Sequence, residues 1–277
     1  MLKDLMLFWI LSVLIASSLI FNLLGILLRT IAAQERPSVT RRTASIFMKE
    51  WACTILMFVM WPFGWWNSPP EKSLSGRQFK RRAILLLPGY NLNRFTLLPL
   101  QWYLQRKGYM WVWAINRPFK GRCIEDFVDA AIQDLELLQR LSGISQIDII
   151  GHSMGGLIAR EIEQKIPQSV HSVLTLGTPW QGTMIHILGY PSHVHEMAPG
   201  KTLTTKSSGF TAPSLSLWSD EDWIVLPPTN AIHPKIPIKS IDAGHISLLL
   251  SAQSYQCIDD FLSNVTPVAT TEHNTDQ

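Results

Sequence analysis

Three short stretches carry side chains whose types and order suit acyl chemistry. In IDIIGHSMGG (147–156) Ser153 sits among glycines, at a point where four strand-forming residues give way to a helix-like run. In SDEDW (219–223) Asp220, Glu221 and Asp222 follow one another, and in AGHIS (243–247) His245 follows Gly244. A serine hydroxyl is a weak nucleophile until a base takes its proton, and an imidazole base needs a carboxylate to fix its tautomer. Two readings of Ser153 compete. In one it caps a helix and the glycines merely permit a tight turn. In the other the turn exists to hold the hydroxyl strained and exposed for attack.

The elements around these stretches favour the second. AILLL (83–87), MWVWAI (110–115), IDII (147–150), HSVLTL (171–176), SLSLW (214–218) and IKSIDA (238–243) read as strands. Residues 94–107, 125–141, 154–166 and 245–262 read as helices, the second with Phe127, Ala130, Ala131, Leu135 and Leu138 at helical spacing. Strands alternating with helices imply an α/β fold, a mainly parallel sheet of about six strands covered on both faces. Functional groups of such sheets collect beyond the carboxyl ends of the strands. Ser153, the acidic cluster and His245 follow the third, fifth and sixth strands, in the order Ser, acid, His. For the acid, Asp222 precedes the apolar Trp223-Ile224-Val225, which can bury and hold its backbone; Asp220 is the fallback.

GHSMGGLIAR (151–160), LLLPGY (85–90), LGTPWQGT (176–183), SDEDWIV (219–225) and IDAGHISLL (241–249) together resemble the α/β-hydrolase superfamily. They are most similar to its small bacterial triacylglycerol lipases and esterases that lack a cap. The resemblance covers roughly 83–263 and implies Ser153 as nucleophile, His245 as general base then acid, and Asp222 as orienting carboxylate. It further implies that the backbone N–H groups of Tyr90 and Met154 form the oxyanion hole, although Pro88 stands where many members have His. Trp180 either lines an acyl pocket or packs. His186, His193 and His195 with Glu196 could suggest a metal, but no HExxH accompanies them, and neither metal nor cofactor is expected.

The chain is 47% hydrophobic and only 16% charged, an excess concentrated at the N-terminus. Residues 5–28 run without a charge, enough to span a hydrocarbon layer of about 30 Å as a helix. A second run at 51–66 is shorter, holds Pro62 and Gly64, and is flanked by Trp51, Trp61, Trp65 and Trp66 in the manner of interfacial anchors; it spans, lies along the membrane, or covers the globular core as an amphipathic segment. The basic clusters beside these runs leave the side of the membrane undecided, and with a net charge of +3 they suit anionic headgroups rather than nucleic acid. Cys53, Cys123 and Cys257 form no CxxC pair and no disulfide scaffold.

The sequence therefore divides into a membrane anchor (1–66), a linker (67–82), an α/β-hydrolase domain (83–263) and a disordered tail (264–277). The expected activity is cleavage of carboxylic esters through an acyl-enzyme, on a lipid or other hydrophobic ester, by an integral membrane protein without an obligate protein partner. An acyltransferase with the same three residues is the alternative, and a non-catalytic membrane scaffold the more distant one. Because no proposed site residue precedes Tyr90, the anchor is expected to be separable from turnover on a soluble ester.

Overall fold

A computed structural model of the chain describes residues 2–33, 40–65, 69–73, 80–116, 123–188, 192–206 and 208–265. The chain begins with two long helices, α1 (Leu2–Ala33) and α2 (Arg41–Met60), the latter continued by a 3-10 turn at Trp61–Trp65. The alternating part follows as β1 (Lys80–Leu87), α3 (Leu98–Arg106), β2 (Tyr109–Ala114), α4 (Ile124–Ser142), β3 (Ile147–His152), α5 (Met154–Lys165) and β4 (Val170–Leu176). It closes with a short α6 (Thr202–Thr205), β5 (Ser214–Trp218), β6 (Ile238–Ser240) and α7 (Ala252–Asn264).

All six strands are parallel, in the order β2-β1-β3-β4-β5-β6. The central strands are continuously apolar because both faces are covered. One face packs Leu85, Leu87, Ile147 and Ile149 against α4 and α5, and the other packs Ile84, Leu86, Ile150 and Leu174 against α3 and α7. The chain leaves β1 for β2 on one side and returns to β3 on the other. That places the topological switch point at the carboxyl ends of β1 and β3, where open parallel sheets bind their ligands.

Element types agree with the sequence reading, and the boundaries differ where local chemistry intervenes. Strand β1 starts at Lys80 rather than 83, so the last residues read as linker are strand. Arg82 can sit there because its guanidinium forks onto the buried Asp148 at 2.6 and 2.7 Å. The helix expected at 94–107 opens as a 3-10 turn, Arg94–Leu97, and the one expected at 245–262 breaks into a turn at Ser247–Leu249 before α7. Strand β6 is only Ile238–Ser240. Trp66, much of the stretch read as linker, and the tail beyond 265 lie outside the described residues.

Helices α1 and α2 are each long and apolar enough to cross a membrane, over Leu11–Ile31 and Arg41–Gly64. They pair through Asn22 Nδ2 to Thr54 Oγ1 at 3.3 Å and Trp51 Nε1 to Ser18 Oγ at 3.0 Å. They also dock on the loops beyond the sheet, across the boundary drawn at residue 67. Trp223 Nε1 donates to Asn22 Oδ1 at 3.1 Å, and Arg29 pairs with Glu221 at 2.6 Å. Glu50 reaches the loop after β6.

Candidate active site

Ser153 follows β3 with φ 54° and ψ −122°. This backbone conformation is one that a residue with a side chain holds only under constraint. A capping serine would have extended backbone and would accept a hydrogen bond from the helix; Ser153 makes no side-chain cap bond. The constraint comes from its neighbours. A Cβ on Gly151 would lie 2.5 Å from the Gly155 carbonyl, and one on Gly155 would lie 2.5 Å from the Leu87 carbonyl oxygen. Strand, elbow and helix therefore pack backbone to backbone, and the Ser153 N–H is fixed on Leu176 O at 2.7 Å. The capping reading of Ser153 does not survive this geometry.

The end of β1 closes on the same point. Gly89 lies so near that a Cβ there would meet the Ser153 Cβ at 3.0 Å. Tyr90 follows it in the turn, and Met154 opens α5 fully buried. Both residues expected to lend backbone N–H groups thus flank the serine. The Tyr90 loop is clamped from outside, Trp61 Nε1 donating to Asn91 O at 3.0 Å and Asn93 Nδ2 to Trp61 O at 2.7 Å.

Asp222, fully buried, takes His245 Nδ1 on one oxygen at 2.7 Å, and the Ile224 and Val225 N–H groups on the other at 2.8 and 2.9 Å. With Nδ1–H directed at the carboxylate, Nε2 is left as the basic nitrogen. Burial alone would depress the His245 pKa. The Asp222 charge and hydrogen bond, with a smaller contribution from Glu50, reverse this and raise it above the ordinary value. Ser219 Oγ donates to Ala243 O at 2.5 Å and accepts the Glu221 N–H at 3.0 Å, tying the acid and histidine loops together. Asp220, the fallback acid, is half exposed and paired with Arg42 at 2.9 Å.

The His152 ring lies tilted 4.8 Å from that of His245 and bonds the His245 carbonyl through Nε2 at 3.0 Å. A carbonyl only accepts, so Nε2 carries the proton. Burial, and after it the charge on His245, push the His152 pKa down to about 3, making it a neutral spacer. Gly177, beside Leu176, lies against His245: a Cβ there would be 3.1 Å from Nδ1. Ser153, through Leu176, and the His245–Asp222 pair, through Gly177, thus adjoin the same end of β4.

Other side chains are committed elsewhere. Trp180 is buried against Phe210 and His233 and donates to Ser216 Oγ at 3.3 Å, so it packs. His186 Nδ1 is engaged with Thr183 O at 2.7 Å, and Glu196 accepts the Ile124 N–H at 3.1 Å. Among the described residues no cluster suited to a metal ion occurs. Sequence reasoning missed Glu50, Asn22 and Asn93. The only signal for the first two was a polar residue in or beside an otherwise apolar run.

The architecture is that of the α/β-hydrolases. Structures with this fold include Aspergillus fumigatus lipase B (TM-score 0.56, 15% identity, 69% of this chain and 56% of that one). A meta-cleavage product hydrolase from Pseudomonas fluorescens superposes with TM-score 0.53 at 14% identity, over 69% of this chain and 93% of the other. A lipase-esterase related protein from Clostridium acetobutylicum gives 0.51 at 13% identity, over 72% and 100%. The PGAP1-like alpha/beta domain family matches residues 118–199, a span that includes the Ser153 elbow. Triacylglycerol lipases of Pseudarthrobacter phenanthrenivorans and Burkholderia plantarii are each 45% identical over 42 residues, 15% of this chain. The match spans only 13% and 12% of those relatives' lengths.

Proposed function

We infer that this chain is a serine hydrolase that cleaves carboxylic esters of lipids or similar hydrophobic molecules, tethered to a membrane by its N-terminal helices. The observation that carries this reading is the strained Ser153 elbow beside a buried Asp222–His245 pair, each on a loop beyond the carboxyl end of the sheet. Ser153 Oγ attacks the ester carbonyl while His245 Nε2 takes its proton. The oxyanion is met by the Tyr90 and Met154 N–H groups and by the amino end of α5. His245 then returns the proton to the departing alcohol, leaving an acyl-enzyme. Water, deprotonated by the same imidazole, releases the carboxylic acid and restores Ser153.

A hydrophobic substrate is supported by the apolar surface between α2 and the histidine loop, a shallow recess of about 30 Å³ bordered by Cys53, Leu56, Met57, Phe95, Ile246 and Leu249. Membrane attachment is supported by the outward stripe of α1, where Ile20, Leu23, Leu27 and Ile31 are all exposed. Ester turnover and labelling by a fluorophosphonate, measured on the parent and on Ser153→Ala, test the reading. Labelling confined to the parent is expected. Turnover persisting in Ser153→Ala would overturn it.

A further inference from the structure

Helix α2 carries one carboxylate that the reaction outlined above does not use. Glu50 is 1% exposed, with Oε1 accepting the Ile246 N–H at 2.6 Å and Oε2 the Ser247 N–H at 2.7 Å. The contact extends to the other side of His245. A Cβ on Gly244 would lie 2.5 Å from Glu50 Oε2, so only glycine admits the carboxylate there. The Gly244 N–H in turn donates to Ser247 Oγ at 2.8 Å, closing the turn 244–247 around His245. Both Glu50 oxygens are therefore spent on backbone amides of the histidine loop.

A buried carboxylate without a paired cation is costly, and amide donors offset only part of that cost. Such a group on a helix whose other buried residues are Ile46 and Thr54 calls for a reason beyond packing. We propose that Glu50 is a positioning residue for His245: it clamps the turn that aims the imidazole between Asp222 and Ser153, and so makes the N-terminal helices a working part of the site. The proposal rests on the serine hydrolase reading.

The groups facing His245 are few. Among the described residues they are Asp222 at 2.7 Å, the neutral His152 at 4.8 Å between ring centres, and Glu50 through the following amides. Burial raises the Glu50 pKa and the amide bonds from Ile246 and Ser247 oppose that rise; in its charged form Glu50 favours the imidazolium, in the same sense as Asp222. Removing its charge while keeping its shape should lower that pKa, whereas a residue that only supports packing would leave it where it is.

The test compares the full chain with Glu50→Gln and Glu50→Asp in detergent micelles. Its readouts are kcat and KM on a short nitrophenyl ester, the acidic limb of the pH–rate profile, the thermal midpoint, and the His245 titration by nitrogen NMR. Glu50→Gln is expected to lose about 10- to 100-fold in kcat at nearly constant KM, the size of effect seen when a supporting partner of a site residue is removed. The limb and the NMR titration should move together to lower pH. Glu50→Asp keeps the charge and should restore the limb while kcat stays depressed; if the Gln variant fails to fold, the Asp variant set against the parent carries the comparison through kcat. Parent-like kcat in either variant, or a loss tracking only the unfolded fraction with an unmoved limb, would overturn the proposal. Should the parent itself show no Ser153-dependent turnover, the hydrolase reading fails, and an unmoved His245 titration in Glu50→Gln would separately refute the Glu50 role.

Discussion

The carboxylate beside His245 is the residue whose identity the structure sharpens most. Asp222 is buried with both oxygens occupied, and Asp220 is bound to Arg42 at the surface. Asp222→Asn is therefore expected to lower kcat by on the order of ten-thousandfold, because an amide can favour the wrong imidazole tautomer and cannot balance the imidazolium. Asp220→Asn should change it little, and equal mild effects would point to another acid. The raised His245 pKa places the acidic limb of kcat/KM above the ordinary histidine value of about 6.5, since the base works only when neutral. His152 has the opposite signature. Its folded pKa of about 3 lies below the unfolded value, so the unfolded chain binds more protons between the two. The stability that His152 contributes is present above about pH 6.5 and is lost on acidification toward 3, at up to about 1.4 kcal/mol per pH unit. Denaturant melts of parent and His152→Asn across that range should show a shallower decline in the variant.

At the scale of elements, the sheet and its helices were legible because apolar runs bounded by Gly and Pro leave few alternatives. The elbow was legible because a serine between glycines has a mechanical reason to follow a buried strand. The docking of α1 was not. A helix apolar on nearly every side looks the same whether a stripe faces lipid or protein, and within 5–28 Asn22 and Gly25 interrupt the pattern alongside Ser12, Ser17 and Ser18. In the structure Asn22 and Gly25 mark the docked stripe: Asn22 accepts from the Trp223 indole, and Gly25 lies flat against that ring. A Cβ on Gly25 would come within 2.7 Å of the Trp223 ring, so Gly25→Val should push α1 off the acid loop. The expected cost is about 1–3 kcal/mol, with a loss of turnover beyond that explained by unfolding. Leu27→Ala, on the outward stripe, should leave both unchanged. Thermal melts and ester assays of the two variants side by side would tell a specific docking contact from general intolerance of α1.

For the whole molecule, the sequence suggests a detachable anchor, whereas the contacts describe one interlocked body. Residues before 67 touch all three loops of the candidate site. Asn22 and Arg29 hold the acid loop, Glu50 the histidine loop, and Trp61 the loop after β1. Removing 1–66 would strip partners from Trp223, Glu221, Ile246, Ser247 and Asn91 together and bare the apolar surface that α2 covers. The 67–277 fragment is accordingly expected to aggregate without detergent, or to hydrolyse a short soluble ester more slowly than the full chain by about 10- to 100-fold or more, since it loses the Glu50 contact together with the others. A fragment with full turnover would restore the separable-anchor reading. The same interlocking bears on attachment. One stripe of α1 is occupied by the loops beyond the sheet, and the stripe carrying Ile20, Leu23, Leu27 and Ile31 faces outward. An apolar helix buries far more surface in a bilayer than a single lipid chain, so the full protein should stay with membranes through salt and carbonate washes. High salt weakens only headgroup attraction to exposed basic residues such as Arg81. Release by carbonate would mean that the outward stripe meets another protein surface instead of lipid.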